Sequence, residues 1–182
     1  MAENFRVRQA LREATADLHD RVDAAFSQAD LATREGYGRF LTAQAAAHDA
    51  VEGALDRDGA GEVLADWPQR RRSALLHGDL RELGLAPPVS LPSPTFEGTA
   101  ALLGGVYVLE GSRLGGALLK RSVPADFPCA FLGASDSTGW RGLLHVLDQR
   151  IQTADEVNHA IDGARRAFLL FERSGQQFLK AS

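Results

Sequence analysis

TFEGTAALLGGVYVLEGSRLGGALLKRSV, residues 95–123, carries its apolar residues at helical spacing, yet Gly104, Gly105, Gly111, Gly115 and Gly116 sit inside it. Each interior glycine costs roughly 1 kcal/mol against alanine. Five of them remove a few kcal/mol, a large share of the roughly 5–15 kcal/mol that holds a domain together. Something in the molecule must offset that loss. On a helical wheel Gly104, Val108, Gly111 and Gly115 fall on one stripe, so one face of the helix is nearly bare backbone. Such a face admits close approach by another body, and the pairs Gly111-Ser112 and Gly115-Gly116 are expected bend points. Two readings stand open: another helix packs against the bare face, or a planar cofactor lies on it with the Ser112 hydroxyl at hand. The glycine spacing is not that of a phosphate-binding loop, and no strand precedes it.

The rest of the chain is also helical in pattern. Alternating β-branched runs and Asn-Gly hairpins are missing from its 182 residues. Segment 5–27 repeats apolar or small residues at Leu11, Thr15, Leu18, Val22 and Phe26. Segment 33–56 opens on Thr33 and stops near Asp58-Gly59, whereas 61–83 is interrupted by Trp67-Pro68. A proline-rich connector (83–98), a loop (123–139) and helices near 139–151 and 154–180 complete the series. The expectation is an all-α fold of about six to eight helices, with residues 1–182 as one domain.

Composition narrows the function. A net charge of −4 and a pI near 5.7 do not suit nucleic acid as a main partner. The single cysteine, Cys129, cannot form an intramolecular disulfide or a Cys-clustered zinc site. Apolar runs are too short to span a bilayer, and MAENFRVRQALREATADLHD has no apolar signal core. A cytoplasmic protein that does not engage membranes is expected.

His19 falls beside the apolar stripe of the first helix. Arg12 lies seven residues before it and Asp23 four residues after, all on one flank. A neutral imidazole there can ligate a metal through one nitrogen while an acceptor such as Asp23 orients the other. Arg12 can hold an anionic group nearby. A half-buried histidine with one hydrogen bond is the alternative reading. His48 and Glu52 form a second His-x-x-x-acid pair but lack the Glu-x-x-His partners of a di-iron bundle. His77 and His159 sit among polar residues and read as solvated.

Taken together, LREATADLHDRVDAAF (11–26) and YVLEGSRLGGALL (107–119) resemble the proximal and distal helices of the heme oxygenase family. RRRSALLHGDLRELG (70–84) and ARRAFLLFERSG (164–175) are similar to later segments of its bacterial members, so the resemblance runs from about residue 6 to the C-terminus. It implies a helical bundle with heme sandwiched between the two helices and His19 as the iron ligand. By position, Asp23 would orient His19, Arg12 and Arg141 would meet heme propionates with His145 one turn on, and Phe168 would pack on the heme. Gly111, Gly115 and Gly116 match the distal glycines. Ser112 stands where the animal-type pattern has an aspartate, as in a bacterial Gly-Ser-x-Leu-Gly subgroup. That leaves a backbone carbonyl or a more distant side chain to organise distal water.

The implied reaction uses heme as cofactor and substrate, with O2 and electrons from an external reductase or ferredoxin. It yields biliverdin, CO and ferrous iron. A heme carrier without ring cleavage is the rival reading. Implied partners are heme, the electron donor and, where the product serves as a chromophore, a bilin-accepting photoreceptor. The arginine run 70–72 reads as a solvated helix face, which also suits an acidic electron donor.

Overall fold

The computed structural model describes residues 6–134 and 137–180, and every regular element among them is helical. In chain order these are α1 (Arg6–Ala14), α2 (Ala16–Phe26), α3 (Arg34–Arg57), α4 (Ala60–Val63), α5 (Trp67–Arg70), α6 (Ser73–Glu82), α7 (Gly98–Leu119), a 3-10 turn (Lys120–Ser122), α8 (Ala130–Gly133), α9 (Ser137–Arg150) and α10 (Ala154–Leu179). Helices α4, α5 and α8 are single turns of four residues, which leaves seven helices of nine residues or more among the described residues.

Local chemistry sets the ends. The Thr33 side chain accepts from Gly36 N at the start of α3, and Gly59 (φ 99°) turns the chain out of it. Thr153 and Glu156 form a reciprocal capping box on α10. The single helix expected over 5–27 is two, divided at Thr15. There the hydroxyl donates to Leu11 O at 2.7 Å, competing with the backbone for that carbonyl. Backbone bonds from Thr15 N to Leu11 O (3.1 Å) and from His19 N to Thr15 O (2.9 Å) carry the helical course through the corner. The loop expected over 123–139 contains α8, whose first amides, Ala130 N and Phe131 N, donate to the buried Asp79 carboxylate at 3.0 and 2.9 Å.

Helix α10 packs on α7, α3, α2 and α1. Its crossing with α7 is very close. A Cβ on Gly104 would collide with the Ala160 carbonyl, and one on Gly163 with the Ala101 carbonyl. Gly105 admits the Phe96 ring, which would lie 2.6 Å from a Cβ there. The N-terminal half of the glycine-rich helix therefore follows the packing reading, and its glycines are offset by burial. Two apolar clusters result, one around α7 and α10 and one around Tyr37, Phe40, Leu76 and Phe131; Phe26 packs on both. Among the described residues no helix is long and apolar enough to cross a membrane.

Candidate active site

The C-terminal half of α7 does the opposite. It stands off from α2, and a cleft of about 520 Å³ opens between them, floored by α3 and α10 and walled at one side by Trp140 of α9. That volume lies within the roughly 300–1,000 Å³ of small-molecule sites. A Cβ on Gly115 would meet nothing within 4 Å, and one on Gly111 only the Trp140 ring at 4.0 Å. These two glycines present backbone to open space.

Opposite them stands His19. Its Nδ1 lies 3.3 Å from Asp23 Oδ2, with side chains 60% and 68% exposed, and its ring meets Phe168 edge-on at a centroid distance of 6.0 Å. With Nδ1 engaged, Nε2 is the nitrogen left for a ligand. Of the ten residues singled out from sequence, Arg12, His19, Asp23, Gly111, Ser112, Gly115 and Phe168 all line this one cleft. Gly116 lies on the other face of α7, where a Cβ would sit 3.4 Å from Leu132 O. Arg141 and His145 are exposed on α9 and are not among the lining residues.

Most other lining residues carried no obvious signal in the sequence. Tyr107 did: it lies four residues before Gly111 and so shares its face. The Tyr107 ring tilts against Trp140 at 5.5 Å, and the Arg8 guanidinium lies 5.9 Å over Trp140. Burial pushes the Tyr107 phenol up, and Arg8 and Arg12 pull it back, which places two cations beside it. Phe40 and Gln44 enter from α3, whose helical pattern says nothing about which distant helix it faces.

The arginine run departs from the solvated face expected of it. Arg70 and Arg72 are 7% and 3% exposed, and only Arg71 remains substantially in water. Arg72 lies behind α7, where Nη2 donates to Leu109 O (2.8 Å) and to Ser112 Oγ (2.7 Å), and its guanidinium covers the Phe131 ring at 4.8 Å. Burial, with Arg113 adding to it, lowers Arg72 to about 10, so it stays charged at neutral pH. Arg70 pairs with Asp66 (2.8 Å) and with Glu110 (3.2 Å), and Glu110 also holds Arg113. Guanidinium groups enter this interior because carbonyls and carboxylates from α3 and α7 meet them there.

His48 and Glu52 serve that interior. Gln44 O lies 2.9 Å from His48 Nδ1, and Arg72 Nη2 lies 3.3 Å from Nε2, so Nδ1 carries the proton and Nε2 accepts. Glu52 takes the first amides of the α6 turn, Arg72 N (2.8 Å) and Ser73 N (3.1 Å), and the Ser73 hydroxyl at 2.6 Å. Burial raises Glu52 against those donors. His77 is half-buried and bonded to Asp49 at 2.9 Å, not solvated as its neighbours in sequence suggest. Gln44 Oε1 is buried in the cleft wall with no protein partner, an acceptor that calls for water.

Burial and then Arg72 hold the His48 imidazole well below its ordinary value of 6.5. The unfolded chain therefore binds a proton near that value that the folded protein refuses. Stability from this group is complete above 6.5 and is lost as pH falls below it. Thermal midpoints taken from about pH 7.5 to about pH 5 should fall, and His48→Gln should flatten the slope. An equal slope in the variant would assign the effect elsewhere.

No family model matches the chain. It is 38% identical over 116 residues to the protein named Heme oxygenase in Xanthomonas campestris pv. campestris, covering 60% of this chain and 70% of that one. It is 26% identical over 174 residues to Heme oxygenase PigA of Pseudomonas aeruginosa, covering 90% and 88%. Its fold is similar to the NO- and CO-bound heme oxygenase of Neisseria meningitidis, with a TM-score of 0.82, 23% identity and coverage of 97% and 93%. The heme oxygenase of Leptospira interrogans follows at a TM-score of 0.69, 20% identity and coverage of 94% and 98%. At those identities the structural likeness is one of fold.

Proposed function

The chain belongs to the heme oxygenase family, and from that premise we infer that it is an enzyme that degrades heme in the cleft between α2 and α7. The observation that carries this is the pairing of an accessible imidazole, His19, with bare backbone at Gly111 and Gly115 across one apolar slot. The slot suits a flat macrocycle with a metal at its centre and acids at its edge. Its walls are aromatic, an exposed imidazole nitrogen is free on one side, and Arg8, Arg12 and Tyr107 supply cations and a hydroxyl near one end. Heme would itself supply the chemistry, as the centre that activates O2 and as the molecule oxidised, to biliverdin with release of CO and ferrous iron.

The chain's own residues bind, orient and hydrate. His19 Nε2 takes the metal and Asp23 holds Nδ1, which fixes tautomer and ring orientation. Phe168 and Phe171 support the floor, Arg12 and Tyr107 take the acid groups, and Gly111 and Gly115 set how near the opposite wall comes. We assign distal water to Gln44 Oε1 and Ser112 Oγ, with Arg72 behind Ser112. This is the side chain set that replaces the aspartate of the animal-type pattern. Electrons come from a separate donor protein. With Arg70 and Arg72 buried, Arg71 is the residue of that run left facing solvent. The reading treats residues 1–182 as one domain, supported by Phe26 joining both apolar clusters, and places the reaction in the cytoplasm.

A heme carrier is not favoured, because storage needs no open space above the ring and gives no return for two glycines there. The test is to add hemin, a reducing system and O2 and follow the visible spectrum. Loss of the Soret band with growth of biliverdin absorption is expected. A Soret band that survives turnover would make the protein a carrier, and no Soret band at all would remove heme from the account.

A further inference from the structure

Helix α2 and Ala14, the last residue of α1, meet one stripe of α10 at four points. Arg165 donates to Ala14 O at 3.2 Å, Phe168 meets His19, Glu172 meets Arg21, and a Cβ on Gly175 would lie 2.9 Å from Ala25 Cβ. Three of these contacts tolerate sliding or rotation. An edge-on ring contact is broad, and Gly175 offers a smooth surface. Arg165 is exposed on an outer carbonyl.

The fourth does not. Arg21 Nε donates to Glu172 Oε1 at 3.0 Å and Nη2 to Oε2 at 2.6 Å, a planar fork that fixes distance and angle together. The Glu172 side chain is 10% exposed, and Gln176 Nε2 donates to its Oε1 at 3.0 Å. With little water within reach, this carboxylate takes its hydrogen bonds from Arg21 and Gln176. Arg21 lies two residues beyond His19, and Val22 and Asp23 beside it line the cleft.

Resting on the heme reading above, we propose that the Arg21–Glu172 pair sets the register of α2 on α10 and thereby the height and rotation of His19. Arg21 and Glu172 are positioning residues: neither lines the cleft. Asp23 orients the imidazole about its own bond, and the fork places the helix that carries both.

The test uses the full chain with and without hemin. Glu172→Gln keeps volume and the Gln176 neighbour but weakens the fork. The double variant Arg21→Met with Glu172→Met removes the pair without stranding a buried charge. Resonance Raman of the ferrous complex reads the iron–imidazole stretch. Both variants are expected to shift or broaden that band and to raise the hemin Kd about tenfold. In the heme-free protein, amides of residues 16–26 should exchange faster while those of α7 do not change. Arg21→Lys, which keeps one charged contact, should restore part of the band. A lowered thermal midpoint with band and Kd unmoved would show a purely structural pair and overturn the proposal. Absence of an iron–imidazole band in the wild type would instead sink the ligand assignment, and this proposal with it.

Discussion

His19→Ala is expected to yield a folded protein whose hemin complex has lost its axial imidazole and its turnover. The side chain is 60% exposed and its ring contact is a single edge of Phe168, so its removal opens no core cavity. Stability should change by no more than about 0.5 kcal/mol. Loss of the ligand itself should exceed the 10–100-fold effects seen when only a supporting group is removed. The spectrum of the complex should move away from that of a histidine-ligated heme, and added imidazole, small enough to enter the vacated space, should bring it back. Asp23→Asn, which leaves Nε2 in place, should have a smaller effect. An unchanged heme spectrum in His19→Ala would end the assignment, because among the described residues no other histidine lines the cleft.

Two substitutions in α7 should separate into opposite phenotypes although they replace the same residue type in the same helix. Gly104→Ala drives a methyl into the Ala160 carbonyl, and backbone on both sides leaves nothing soft to yield. Overpacking of this kind costs about 1–3 kcal/mol, more than the roughly 1 kcal/mol that alanine returns in helix propensity. The thermal midpoint should drop by several degrees, at about 2–4 °C per kcal/mol for a chain of this size. Gly115→Leu meets no atom within 4 Å of its Cβ. It should fold at least as stably as the wild type, with the same propensity gain, yet close the slot and abolish hemin binding. Calorimetry and hemin titration on the two proteins read this directly. A Gly115→Leu protein that binds hemin normally would show that the bare backbone is not the wall of the site.

That contrast also shows how far the residues alone carry the account. The glycines of 104–116 announce missing side chains, and periodicity places Gly104, Gly111 and Gly115 on one face. Both candidate explanations, helix packing and a planar ligand, follow from that. Each is correct for one half of the helix, and nothing local to α7 divides them. The division comes from α10, which crosses at Gly104 and has diverged by Gly115. The arginine run fails for a related reason. Three consecutive arginines read as solvated because burying a guanidinium is costly without acceptors. The acceptors, Leu109 O, Ser112 Oγ and Glu110, lie some 40 residues away in sequence.

What the amino-acid order determined unaided was local: helices from apolar spacing and caps, a histidine flanked by Arg12 and Asp23 on one face, and a helix stripped of side chains. These depend on φ, ψ and a period of about 3.6 residues, which a short window contains. What the tertiary structure alone decided was which faces meet. It brought α3 behind the cleft with Gln44 and His48, turned Arg70 and Arg72 inward, and joined Arg21 to Glu172 across 151 residues. Such choices arise from packing and from satisfying every buried polar group at once. They are properties of the whole interior, and no single segment holds the information for them.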